Sequence, residues 1–377
     1  MGLLKHSDVL IIGGGIIGSS IAFHLAKSKA KVAVLERDQA GAHASRAAAG
    51  MLGAQVEINQ SGPFADICLK SRSMFPKLAE DLQELTGLDI ELNRSGLLKP
   101  ALTEEEAVRL KERTKWQKTI WLDRKECLEK EGLLGEEVIG GLFFPEEYQV
   151  SAPRLSQAYT RAAQRWGAEF IEDCQVIDFC IENHRIEKVI TSQGDWTADT
   201  VVLAAGAWTG LASLRLGINL PVFPVKGESL ALQTTRPLLK HTIFGNDVYI
   251  VPKANGELVI GATEKEHQWD SGVTAGAVYQ LLSCAAYYLP AVKDLKISRM
   301  WASVRPGTPD KLPLIGWMET IDHCIVAAGH FRNGILLSPW TGQVVSNLIL
   351  GEKAEDLTPF SPRRFIREKE GVPCTFS

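Results

Sequence analysis

Short apolar runs closed by glycine alternate with stretches of helical period, and the first of them frames the chain. Residues 9–12 read Val-Leu-Ile-Ile, and Gly13, Gly15 and Gly18 follow at G-x-G-x-x-G spacing. Residues 19–30 carry Ile21, Ala22, Leu25 and Ala26 at helical intervals, and a second apolar run, 32–35, ends in Glu36. Strand, tight turn, helix and strand within about 30 residues make one βαβ unit. In such a turn Gly13 permits the bend, Gly15 lets a pyrophosphate approach the backbone, and Gly18 lets helix and strand pack closely. The helix N-terminus then faces the phosphates, and a carboxylate at Glu36 is placed to accept from a ribose diol.

The pattern continues in two registers. Residues 41–55 are small and poor in charge, suited to lie against a planar ligand or to form a connecting helix. Residues 64–85 predict an amphipathic helix with Ile67, Leu69, Met74, Leu78 and Leu82 toward a core. From residue 90 the character changes to short strands around a turn, then a charged helix over 103–115 opened by a Thr103–Glu106 capping box, then a short polar helix over 123–132. Residues 151–166 predict a helix with Leu155, Ala158 and Ala162 on one face, ended by Gly167. Alternating strands with a turn at Gln193-Gly194 lead to the apolar run 200–208, which contains Gly206 and reads as a buried parallel strand. After the Pro/Gly boundary at 221–228, the alternating runs 229–234, 247–253 and 257–263 predict a mostly antiparallel sheet. Residues 323–329 form another buried strand, followed by a glycine-containing turn and an apolar helix over 335–350 with Pro339 in its first turn. The expected fold is α/β. A Rossmann-like domain is assembled from 1–89, 149–220 and 300–377, and an α+β domain with a mostly antiparallel sheet from 90–148 and 221–299.

Composition narrows the function classes. With 45% apolar and 23% charged residues the chain is of ordinary globular type. A net charge of −4 without a basic block argues against nucleic acid or an anionic membrane as partner. Seven scattered cysteines, without C-x-x-C, fit reduced cytosolic thiols rather than a disulfide framework or zinc site. The uncharged stretch 9–23 has glycines that a nucleotide-binding turn explains and a signal peptide does not, so a cytoplasmic protein is expected. His24, His43 and His267 lack metal-ligand partners at suitable spacing, and no metal is expected.

Six segments then carry a resemblance: GGGIIG with Glu36, AAAGMLGA, TVVLAAGAW, PVKGE, VRPGTPDKLPLIG and AAGHFRNGILLSP. Together, over about residues 8–360, the chain resembles the FAD-dependent D-amino-acid oxidase superfamily, and most of all its glycine-oxidase branch of thiamine biosynthesis. The resemblance implies a glutathione-reductase-like FAD-binding domain with an antiparallel substrate domain over the flavin. It places Ile16, Ile17, Glu36 and Arg37 at the ADP half of FAD and Val176 at the adenine. It places Ala44, Ser45, Ala49, Gly50 and Met51 along the flavin, with Gly206 also at the cofactor. His330, Phe331, Arg332, Asn333, Gly334, Ile335 and Leu336 would wrap the pyrimidine end. Arg305, Arg332 and Tyr249 match the positions that hold a substrate carboxylate, near Met51 and Glu264. The implied reaction is oxidation of glycine, sarcosine or small D-amino acids such as D-alanine by hydride transfer to flavin N5. It yields glyoxylate or another 2-oxo acid, ammonia or a primary amine, and hydrogen peroxide from O₂. FAD would be held non-covalently, since no cysteine lies between Cys284 and Cys324, and the family suggests a homotetramer. A D-amino-acid or proline dehydrogenase with another acceptor, an RNA-modifying relative and a non-catalytic flavin sensor remain as alternatives. Two residues depart from the family pattern: Arg46, where a small hydroxyl residue is usual, and Glu264, where the position is usually uncharged.

Overall fold

The structure is a computed structural model that describes residues 4–58, 60–115, 118–353 and 355–365. It is built on two large sheets. The first has eight strands, and its main path runs Leu314–Trp317, Cys324–Ala328, Trp196–Leu203, Lys5–Ile12, Val32–Leu35, Glu169–Ile171. All neighbours on that path are parallel except the edge strand Leu314–Trp317. The strands are apolar on both faces because both faces are covered. Val9, Ile11 and Val34 enter one core with the helices Ile16–Lys27, Pro63–Thr86, Ala152–Arg165 and Gly334–Ile349, while Leu10, Ile12 and Leu35 enter another beneath the antiparallel pair Val176–Glu182 and Arg185–Thr191.

The second sheet has nine strands among the described residues, eight of them in the order Lys265–Glu266, Phe223–Gln233, Glu257–Gly261, Tyr249–Pro252, Thr242–Phe244, Leu97–Ala101, Gly140–Phe144, Ile120–Asp123 and the ninth, Lys296–Gly307, off that path. Its one parallel pair, Thr242–Phe244 beside Leu97–Ala101, is where the early and late segments of the chain meet. Lys296–Gly307 pairs along Phe223–Gln233 through Gly307, so this sheet runs on past residue 299, where the sequence suggested a return to the first domain. The α/β fold with a second, mostly antiparallel sheet is the class expected. Among the described residues, no helix is long and apolar enough to cross a membrane.

Several local expectations need correction. Pro339 lies in the second turn of Gly334–Ile349, not its first. The carbonyl of Ile335, which the proline cannot bond, accepts instead from Ser338 Oγ at 2.9 Å. Thr103 caps its helix by accepting from Glu106 N–H at 3.2 Å, but the Glu106 carboxylate reaches Leu102 N–H, so the reciprocal box is incomplete. The complete box is Asp123 with Glu126. Leu69, expected in the core, is 38% exposed, whereas Ile67, Leu78 and Leu82 are buried.

Candidate functional site

A long cavity starts at the C-terminal ends of the parallel strands and runs beneath the second sheet. At its first end the glycine turn is dictated by contact. Gly13 has φ +108°, and a Cβ there would lie 2.5 Å from the Ala204 carbonyl oxygen; a Cβ at Gly18 would lie 1.9 Å from the Gly13 carbonyl oxygen. A Cβ at Gly15 would meet only Ser45 Oγ, at 3.4 Å, so the backbone there is open to a ligand. Ser45 Oγ accepts from Ile16 N–H at 2.9 Å, and the Glu36 carboxylate accepts from Gly14 N–H at 2.8 Å and Asp38 N–H at 2.9 Å. That fixes the carboxylate and leaves it lone pairs for a diol. Arg37 stacks on Trp208, 4.4 Å from the ring centre. Hydrogen bonds from His43, and then from Arg37, hold the Asp38 carboxyl below its usual range, against the opposing effect of burial. Ile17, Val176 and Gly206 line the same end.

Along the middle, Ala44, Ala49, Gly50 and Met51 form one wall, and His330, Phe331, Arg332, Asn333, Gly334 and Ile335 another. Gly50 has φ +82° and sits where a Cβ would be 2.0 Å from the Val150 carbonyl oxygen. Trp301 Nε1 donates to the Ala47 carbonyl at 3.0 Å, and Lys253 Nζ donates to the carbonyls of Ala49 and Val150, so the second sheet grips this wall. Arg46 is exposed and outside the lining, which removes it from the cavity. His330 is 3% exposed with Nε2 3.1 Å from Thr341 Oγ1, and burial holds it neutral with a pKa of about 3. The helix Gly334–Ile349 opens into this wall without a side-chain cap, leaving its first N–H groups toward the cavity. Gly18 and Leu336 are buried behind the lining.

At the far end Tyr249 lies beside Arg305, close to Arg332 of the second wall. Two glycines make the room: a Cβ at Gly227 would lie 2.4 Å from Arg305 Nη2, and one at Gly261 would lie 2.4 Å from Tyr249 Oη. Arg305 Nη1 donates to the Thr263 carbonyl at 3.2 Å. Among the described residues no carboxylate lies within 4.0 Å of it, and burial lowers its pKa. Arg332, by contrast, has its Nε 3.2 Å from Glu57 Oε2 and its Nη1 3.8 Å from Glu264 Oε2. Glu264 flanks the cavity without lining it, and Lys311 pairs with it at 3.8 Å. Glu57 does line the cavity, and nothing in its spacing or neighbours marks it in the sequence. A sheltered guanidinium lacking an anion, beside a phenol, is suited to a bidentate carboxylate. An exposed trio of His6, Asp8 and Asp199 lies lower on the parallel strands, away from the cavity.

The family of FAD dependent oxidoreductases matches residues 8–348. The chain belongs to this family. This oxidoreductase is 43% identical over 369 residues to Glycine oxidase of Geobacillus kaustophilus (strain HTA426), covering 95% of this chain and 97% of that one. The crystal structure of glycine oxidase from Geobacillus kaustophilus matches it with a TM-score of 0.92 at 42% identity, covering 96% of this chain and all of that one. The Bifunctional protein ThiO/ThiG of Synechocystis sp. is 40% identical over 96% of this chain, which spans 54% of that protein. The resemblance read from the motifs is borne out, as is FAD as cofactor. The cavity fits that group: an open backbone at Gly15, a fixed carboxylate at Glu36 and an uncapped helix end lie along one channel.

Proposed function

We propose that this oxidoreductase is a glycine oxidase, acting on glycine and other small amines or D-amino acids such as sarcosine and D-alanine, and supplying the glycine imine for thiamine biosynthesis. Its products are a 2-oxo acid, ammonia or a primary amine, and hydrogen peroxide. One observation carries the reading: Arg305 is a half-buried guanidinium without a carboxylate partner among the described residues, lining the same cavity as the glycine turn and Glu36. FAD, when bound, supplies the acceptor for the hydride of the substrate Cα–H bond and reacts with O₂. Arg305 grips the substrate carboxylate through parallel charge-assisted hydrogen bonds, and Tyr249 adds a donor. Met51 and Trp301 line the same cavity. His330 is neutral, buried and engaged with Thr341, so it does not serve as base. The free amine of the substrate needs none. The N-terminus of Gly334–Ile349 brings partial positive charge to the wall and favours negative charge developing there. The names and coverage of the relatives support this reading.

A peroxide-coupled assay of the yellow protein with glycine, sarcosine, D-alanine and D-proline tests it. Peroxide from glycine at a kcat/KM equal to or above the others supports the reading. Bleaching of the flavin without peroxide in air would assign a dehydrogenase with another acceptor.

A further inference from the structure

We propose that Glu57 and Glu264 restrict this site to substrates with a single carboxylate, by pairing with Arg332, the arginine beside Arg305, in a partly exposed ion-pair cluster at the cavity's edge. The inference rests on the amino-acid reading above and names the substrate class further. Glu57 takes two donors of Arg332, Nε at 3.2 Å and Nη2 at 3.4 Å, and Glu264 sits 3.8 Å from Nη1. The three residues come from separate places: the turn after Met51–Leu52, the turn after Glu257–Gly261, and the turn Phe331–Asn333.

The turns that carry both carboxylates are held by buried networks. The Glu57 turn is held by the Glu147 carboxylate, which is 1% exposed and accepts from the N–H groups of Ala54, Gln55 and Val56. From the other side Arg113 donates to the carbonyls of Gln55 at 2.7 Å and Ile58 at 2.9 Å. The turn carrying Glu264 is held where Thr263 Oγ1 donates to the buried Glu228 at 3.1 Å, and where the Thr263 carbonyl accepts from Arg305. Two carboxylates therefore surround one guanidinium in this corner, with Lys311 reaching Glu264 from the outer side. Arg305 remains as the cation without an acidic partner among the described residues, and one substrate carboxylate neutralises it. A second anionic group on the substrate would meet Arg332 already paired and two like charges beside it.

The test compares ligands that differ by one carboxylate, using Glu264→Gln and Glu57→Gln. Acetate and malonate are titrated against the visible spectrum of the FAD-loaded protein, and kcat/KM is measured for D-alanine and D-aspartate. The unsubstituted protein is expected to favour the monocarboxylate in both pairs. Removing one carboxylate is expected to shift each ratio toward the dicarboxylate by about tenfold at low salt, and less at high salt. Ratios unchanged in both variants, or an unsubstituted protein that takes D-aspartate as well as D-alanine, would overturn the proposal. A relaxed acetate-to-malonate preference in protein that no amino acid reduces would uphold the charge cluster while refuting the oxidase reading.

Discussion

The decisive residue is Arg305. A guanidinium taken out of water without a counter-ion is unfavourable, and here burial lowers its pKa while a single carbonyl bond from Thr263 offsets little of the cost. On the proposed reading, a substrate carboxylate supplies what is missing. Arg305→Ala should raise KM for glycine by about 100-fold or more, the loss of a charge-assisted bidentate pair, while the protein stays yellow. Steady-state kinetics against flavin content checks this. Gly227→Ala should act on the same group indirectly, since its Cβ would displace the guanidinium from 2.4 Å; KM rises at least about tenfold with FAD content preserved. Arg305 and the glycine turn were legible in the sequence because each sits in a motif, whereas Tyr249 stood only in an alternating apolar run and took its proposed role from the resemblance. Glu57 was not, because its role depends on Arg332, 275 residues away. Gly227 and Gly261 lay within recognised segments, but that they clear space for Arg305 and Tyr249 is visible only from across the sheet.

At the scale of elements, the parallel strands and the amphipathic helices followed from periodicity, since apolar runs in this fold are buried on both faces. The misread details are local. Pro339 in the second turn is tolerated because Ser338 takes up the freed carbonyl, a compensation that no propensity rule supplies. The joining of two distant segments in the second sheet through one parallel pair also has no local signal. Elsewhere in that sheet Glu257 reaches across Phe223–Gln233 to bind Arg299 at 3.0 Å and Ser298 at 2.8 Å on Lys296–Gly307. The hydrogen bond from Arg299, against the opposing effect of burial and aided by Asn255 and Ser298, lowers the Glu257 pKa to about 2. A folded-state pKa below the ordinary 4.5 gives stability that is present above pH 4.5 and lost as pH falls toward 2. Glu257→Gln should therefore cost roughly 1–2 kcal/mol at pH 7, allowing for screening at half-exposed Arg299, and almost nothing near pH 2. Urea unfolding at the two pH values measures the difference.

For the whole molecule, the cavity joins two sheets that the chain visits alternately, so cofactor and substrate groups arrive from opposite sides. Trp301 and Lys253 of the second sheet hold the wall formed by residues 47–50, which couples loading of the cofactor to the fit of the two halves. No cysteine lies between Cys284 and Cys324, the interval in which the resemblance would place a covalent link to the flavin. Acid precipitation should release the yellow colour to the supernatant, and added FAD should raise the Tm of the stripped protein; colour retained in the pellet would contradict non-covalent binding.

On the proposed reading, Arg305, without an acidic partner among the described residues, selects a carboxylate-bearing amine for oxidation in this cavity. Anaerobic reduction of the bound flavin, with glycine and with methylamine at equal concentration, tests it most directly. Bleaching by glycine that methylamine does not match, and that Arg305→Ala abolishes at the same concentration, is the predicted result. Equal bleaching by the two amines, or a glycine response unchanged in Arg305→Ala, would contradict it.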